Sequence, residues 1–131
     1  MKKNVIMVVV DEGLIALHLI EVLENAGYRV TGPLHSGELA LKTLESSPPP
    51  DLIMMDIGLA GKLDGIETAA LIRARYSIPL IFLTAYTTER NVERMREVNP
   101  AGYVVKPFII EDLLAVVEKC LEAKNPPIRE S

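Results

Sequence analysis

Asp51-Leu52-Ile53-Met54-Met55-Asp56-Ile57-Gly58 sets four consecutive apolar residues between two carboxylates. A strand with one wet face alternates apolar and polar residues. This run does not alternate, so it reads as a strand covered on both faces, the habit of a parallel sheet. Val5-Ile6-Met7-Val8-Val9-Val10 reads the same way. Shorter runs follow at Tyr28–Thr31, Pro79–Leu83 and Gly102–Val105. The five starts lie roughly 23–28 residues apart, which leaves room for one helix and two loops each time.

The intervening segments carry helix signals. Leu14–Asn25 has apolar residues at Ile15, Leu19, Val22 and Leu23, then Ala26, with Gly27 as a stop. Ser36 can cap Gly37–Glu45, which Ser46-Ser47-Pro48-Pro49-Pro50 ends. Asp64 with Glu67 resembles a capping box opening Gly65–Tyr76. Thr87 or Thr88 can cap Glu89–Val98, a charged segment with few core anchors and therefore the least firmly held helix. The last helix, Glu111–Ala123, places Leu113, Leu114, Val117, Cys120 and Leu121 on one face. Strand and helix alternate five times, and right-handed crossovers turn that order into a doubly wound α/β sheet.

With 131 residues, 49% of them apolar, the chain can build one sizeable core and not two. Net charge is −4 and no basic stripe is present, which argues against direct nucleic acid binding by this segment. The single cysteine, Cys120, excludes an internal disulfide and fits a reducing compartment. Six apolar residues before Asp11 are too few for a signal peptide or a membrane span, so a soluble, cytoplasmic protein is expected. Residues 1–124 are expected to form the domain. The polar stretch 125–131 reads as a tail or the start of a linker.

In an open α/β sheet, ligands bind beyond the carboxyl ends of the strands. Asp11 and Glu12 follow the first strand, Asp56 and Gly58 the third, Thr84 and Ala85 the fourth, Lys106 and Pro107 the fifth. Loops do not need that many polar groups on one rim for solvation. Neighbouring carboxylates repel unless a cation is present. Asp11 and Asp56 with a backbone carbonyl make a hard oxygen site suited to Mg²⁺, which keeps several waters and shares phosphates readily. Lys106 adds a compact positive charge and Thr84 a hydroxyl. Together these groups suit attack of a carboxylate on a phosphoryl group and neutralisation of the product.

Five strings now occur in order: Val9-Val10-Asp11-Glu12-Gly13-Leu14-Ile15-Ala16-Leu17, Pro50 to Leu59 around Asp56, Leu63-Asp64-Gly65-Ile66-Glu67, Phe82-Leu83-Thr84-Ala85 and Gly102 to Phe108 around Lys106-Pro107. Each is weak alone. In this order and spacing the sequence resembles the receiver domain of two-component response regulators, over nearly all of residues 4–123. The resemblance implies a flavodoxin-like receiver fold: a five-stranded parallel sheet of order 2-1-3-4-5 with five helices. It implies Asp56 as phosphoacceptor, and Asp11 and the Gly58 carbonyl as ligands of Mg²⁺ (or Mn²⁺). Lys106 would pair with the phosphoryl group beside a cis Lys106–Pro107 bond, Thr84 would reach it, and Ala85 would offer its amide. Tyr103 would turn inwards when Thr84 moves. The donor would be a sensor histidine kinase or a phosphotransfer protein. The face of the fourth helix, fifth strand and fifth helix would change, with homodimerisation as one outcome. Catalysis would be confined to the domain's own phosphorylation and dephosphorylation.

The family usually carries two acids after the first strand. If Leu14-Ile15-Ala16-Leu17 fixes the register, Val10 takes the first place and Asp11 the second; a one-residue shift would instead pair Asp11 with Glu12, which would make Glu12 a further metal ligand. The first register is preferred, because a shift also reverses which side chains face the core.

Plainer roles compete with these. Asp56 could close a turn, Asp64 and Glu67 fit capping better than metal ligation, and Tyr103 could be a half-buried strand residue. Tyr86 could shield the phosphate or simply be exposed. His18 and His35 lack ligand spacing. Arg73, Arg75, Arg90, Arg94 and Arg96 read as solvated helix faces, with Arg90, Arg94 and Arg96 candidates to touch a partner. A receiver-like interaction domain that is not phosphorylated is the alternative function. A phosphohydrolase lacks its second acid, since Gly58 sits two after Asp56, and a dinucleotide binder lacks a glycine-rich loop after the first strand. With one acid missing, Mg²⁺ affinity should be lower than at a two-acid site. Titration of Mg²⁺ should show tighter binding to Val10→Asp than to the native protein; equal affinity contradicts the register.

Overall fold

The computed structural model describes residues 4–59, 61–85 and 88–124. Elements run β1 (Val5–Val9), α1 (Gly13–Asn25), β2 (Arg29–Leu34), α2 (Gly37–Ser46), β3 (Leu52–Asp56), α3 (Gly65–Arg75), β4 (Leu80–Thr84), α4 (Glu89–Val98), β5 (Gly102–Val105) and α5 (Ile110–Lys124). The sheet order is β2-β1-β3-β4-β5, and every neighbouring pair is parallel. The doubly wound α/β architecture expected of the sequence is the one observed.

Alternation along the strands divides the core in two. Ile6, Val8, Val10, Leu52, Met54, Ile81, Leu83 and Val104 pack under α1 and α5, whose Leu19, Leu23, Leu113 and Val117 meet them. Met7, Val9, Ile53, Met55, Leu80 and Phe82 point the other way, to α2, α3 and the single buried residue of α4, Met95. Every residue of β3 and β4 is buried, which is why their sequences run apolar without a break. Cys120 belongs to the first cluster, and burial raises its thiol pKa, as expected for a core side chain. Among the described residues no helix is long and apolar enough to cross a membrane.

The caps fall where the sequence places them. Ser36 accepts a bond from Leu39 N–H, and Asp64 and Glu67 form the reciprocal box that opens α3. Thr88 caps α4 by accepting from Asn91 N–H; Thr87, the other candidate, lies outside the described residues, as do Tyr86 and the stretch 125–131. Gly27, with φ +99°, ends α1 as anticipated, and Tyr28 N–H returns to the Leu23 carbonyl.

β2 departs from expectation. It begins at Arg29 rather than Tyr28 and continues through Gly32 and Pro33 to Leu34 instead of stopping at Thr31. An edge strand tolerates proline, whose missing N–H faces away from the ladder. The pairing with β1 slips between Met7 and Val9, and Val10 N–H then bonds the Leu34 carbonyl. The other boundaries differ from the sequence reading by one residue at most.

α3 starts close against the acceptor strand. A β-carbon at Gly65 would run into the Asp56 carbonyl oxygen and stand 2.7 Å from Ile57 Cα, both fixed backbone atoms. Alanine improves helix propensity by about 1 kcal/mol, but overpacking costs about 1–3 kcal/mol and here no side chain can yield. Gly65→Ala should therefore lower stability by about 2 kcal/mol in urea unfolding. Unchanged stability would refute this close packing.

Candidate functional site

The sheet register gathers the predicted residues on one rim. Asp56 is the last residue of β3 and pairs with Leu83; Thr84 ends β4 opposite Val105. Lys106 N–H then donates to the Thr84 carbonyl at 2.8 Å, and Ile57 N–H to that of Leu83 at 3.2 Å. Val9 pairs with Met55, so the β1–α1 loop carrying Asp11 and Glu12 leaves beside the end of β3.

Asp56 is 1% exposed, and both of its carboxylate oxygens are engaged. Oδ1 accepts from Gly58 N–H at 2.9 Å, and Oδ2 from Lys106 Nζ at 3.0 Å. The Lys106 side chain is 14% exposed and also stands 3.5 Å from Glu12 Oε1. The Lys106–Pro107 bond is cis, as the resemblance implies. Glu12 occupies the N-cap position of α1 without making a side-chain cap bond; its carboxylate, 58% exposed, faces the lysine instead. Asp11 is half-buried at the start of the same loop. Val10, by contrast, is fully buried in the apolar cluster under α1 and α5.

Thr84 is buried, and its hydroxyl donates to the Ala85 carbonyl at 2.9 Å rather than to Asp56. Tyr103 is 44% exposed on the α4 side of the sheet, tilted against Phe82 with 6.3 Å between ring centroids. It is more exposed than the half-buried residue anticipated, because β5 is the edge strand.

The donor chemistry fits a hard divalent cation. Carboxylates at Asp11 and Asp56 and the backbone at Gly58 are all oxygen donors, with Glu12 near enough to Lys106 to share the rim. Among the described residues no group of three or more His, Cys, Asp or Glu side chains is placed to hold a metal, so a cation at this rim would rest on two side-chain carboxylates at most, with backbone and water oxygens completing its shell.

Three contacts escaped the sequence. Arg94 is not a solvated helix face: its Nη2 meets Asp64 Oδ2 at 2.9 Å and Nη1 meets Asn91, tying α4 to the start of α3. Glu38, in the first turn of α2, accepts a bond from Leu63 N–H at 3.0 Å. His18 stacks on Phe108, with centroids 5.5 Å apart. Nothing local signals any of them: the first two join residues 30 and 25 positions apart, and the last joins α1 to the loop before α5. Arg73, Arg75, Arg90 and Arg96 are exposed as expected, and so are His18 and His35.

Beside Lys106 lies a cavity of about 340 Å³ lined by Leu14, Ile15, His18, Pro107 and Phe108. Leu14 at its edge is 86% exposed. Large apolar side chains left in water around a polar centre mark a contact surface.

The family model described as the response regulator receiver domain matches residues 6–118. The transcriptional regulatory protein PdtaR of Mycobacterium tuberculosis (strain ATCC 25618 / H37Rv) is 35% identical over 113 residues, covering 86% of this chain and 54% of its own. The phyllosphere-induced regulator PhyR of Methylorubrum extorquens is 34% identical over 116 residues, covering 88% and 43%. The chain thus spans about half the length of these relatives. The solved signal receiver domain of a modulated diguanylate cyclase from Desulfovibrio desulfuricans G20 superposes with a TM-score of 0.88 at 35% identity, covering 95% of this chain and 98% of that one.

The Asp56–Lys106 contact joins a buried carboxylate to a largely buried ammonium. Removing one partner of a buried pair leaves an uncompensated charge and costs about 3–5 kcal/mol. Lys106→Met should destabilise the protein by about 3 kcal/mol in urea unfolding at neutral pH, and Asp56→Asn added to it should recover part of that loss. A single variant as stable as the native protein would show that the pair carries no such constraint.

Proposed function

The chain belongs to the response regulator receiver domain family, and from that premise we propose that residues 1–124 form a cytoplasmic switch that accepts a phosphoryl group on Asp56. The observation that carries this reading is a carboxylate 1% exposed, held by one lysine, at the end of a central strand. Receivers of two-component systems are regulators, and the only chemistry required of this one is on itself.

In the proposed reaction, an Asp56 carboxylate oxygen attacks the phosphorus of a phosphohistidine. A new P–O bond forms as the P–N bond breaks, and the imidazole leaves with the electron pair. Mg²⁺ or Mn²⁺, held by Asp11, Asp56 and the Gly58 carbonyl with Glu12 as a further candidate, would supply charge neutralisation at the phosphoryl oxygens. Lys106, already 3.0 Å from Asp56 Oδ2, needs only a small displacement to pair with a phosphoryl oxygen. The Ala85 amide would be offered to a phosphoryl oxygen from the end of β4. The Thr84 hydroxyl would rotate from the Ala85 carbonyl towards the phosphoryl group, vacating space that Tyr103 can enter from outside.

The donor, a sensor histidine kinase or a phosphotransfer protein, would dock on the apolar surface around Leu14, His18, Pro107 and Phe108, which borders Lys106. The response would be read from the α4-β5-α5 face, where Tyr103, Val105 and Ile109 are exposed; a homodimer through this face is one form of readout. No direct nucleic acid contact by this segment is proposed.

Val10 favours one rival. An apolar side chain, fully buried where the family usually carries an acid, suits a receiver that binds partners without being phosphorylated. Incubation with acetyl phosphate and Mg²⁺ separates the two. Intact mass should rise by one phosphoryl group in the native protein and stay constant in Asp56→Asn. No rise in the native protein would favour the rival.

A further inference from the structure

Asp56 is joined to α3 by a segment that runs from Ile57 to Asp64, with Gly58 and Gly61 in it and Gly65 directly after. A glycine-rich stretch has much conformational entropy to lose, so something must order it. Three consecutive amides at its far end find acceptors on three different elements. Gly65 N–H donates to the Ile57 carbonyl at 3.2 Å, within the segment itself. Asp64 N–H donates to Glu67 Oε1 at 3.0 Å, on the helix the segment leads into. Leu63 N–H donates to Glu38 Oε1 at 3.0 Å, and Glu38 belongs to α2. The first two bonds tie the segment to itself and to α3, the helix it leads into. The third anchors it to a separate helix.

The approach to Glu38 is close at Gly61 as well as at Leu63. Gly61 has φ +105°, where a side chain is strained, and a β-carbon there would stand 3.2 Å from Glu38 Oε2. The Glu38 carboxyl is held below the ordinary carboxylate range by its own backbone N–H first, and then by the Leu63 and Lys62 amides. α2 is itself fixed against α3: a β-carbon at Gly37 would collide with Thr68 Oγ1, so the two helices touch there. Glu38 therefore projects from a fixed platform.

We propose that Glu38 is a positioning residue for the phosphoacceptor site, holding the Ile57–Asp64 loop so that the Gly58 backbone stands ready to ligate the metal. The inference rests on the reading of the rim as a Mg²⁺ and phosphoryl site. Glu38 acts through the loop and touches no reacting atom. The bond carries the effect rather than the charge, since a glutamine oxygen can accept from Leu63 N–H equally well.

Mn²⁺ binding followed by electron paramagnetic resonance on the full chain tests this, with amide exchange at Leu63 and thermal melting alongside. Glu38→Ala should weaken Mn²⁺ binding about tenfold, the low end for residues that orient a metal ligand, and should speed Leu63 exchange while leaving the melting temperature close to native. Glu38→Gln should retain most of the native affinity. Native affinity in Glu38→Ala overturns the proposal, and so does a loss in Glu38→Gln equal to that in Glu38→Ala, which would make it a charge effect. Asp11→Asn is the reference. If the native protein binds no Mn²⁺, or Asp11→Asn binds it as well as native, the reading of the site itself falls and takes this inference with it.

Discussion

A carboxylate that is 1% exposed is tolerated only beside a cation, and the 3.0 Å contact between Asp56 and Lys106 supplies one. That requirement reaches through the fold. Lys106 can reach Asp56 only if β5 ends level with β4 and β4 level with β3. The ladders set this register, from Asp56 opposite Leu83 and Thr84 opposite Val105 to the bond from Lys106 N–H to the Thr84 carbonyl. The fully apolar strands beneath lock the register, because a slip of one residue would send Met54 and Leu83 to the opposite face. Buried strands and a charged rim are two consequences of one arrangement.

The same contact bears on how a switch could work. Lys106 sits between Asp56 and Glu12, so a phosphoryl group would enter a set of charges already arranged around one ammonium. α4 contributes one buried side chain, Met95, and its ion pair to Asp64 involves groups about one-third exposed, which solvent weakens. Elements with few buried contacts open at the lowest free energy. The proposed output face would thus rest partly on the helix with the fewest buried side chains to disturb, beside an α5 held by its apolar side.

How much of this was legible in the sequence depends on how far apart the partners lie. β3 and β4 could be read from unbroken apolar runs, and the α3 cap from Asp64 and Glu67, because each signal is complete within a few residues. β2 could not be bounded, since Gly32-Pro33 breaks most strands and is permitted only by an edge position that the local sequence does not reveal. The rim residues could be named because they close strands. Their pairing was not visible, and Glu12 facing Lys106 rather than capping α1 is an example. Arg94 with Asp64 and Glu38 with Leu63 depend on how helices pack across the sheet, which periodicity does not encode.

Val10 is where the two halves of the design pull against each other. Fully buried, it adds apolar contact under α1 and α5 at the point where the sheet meets the rim. An acid there would place another negative charge beside Asp11, Glu12 and Asp56, with Lys106 the one cation within ion-pair distance of Asp56 among the described residues. Like charges so close raise the free energy of the metal-free state and deepen the pull on a divalent ion. On the proposed reading valine would do the reverse, favouring the metal-free domain and leaving cation binding to fewer oxygens. The remaining ligands must then be held in place more strictly, since a site with fewer charges has less attraction to offset misplacement. If Gly58 ligates the metal as proposed, that would put weight on its backbone and on whatever fixes its loop, and an anchoring bond from outside that loop, such as the one Glu38 accepts, would matter more here than in a site with two acids.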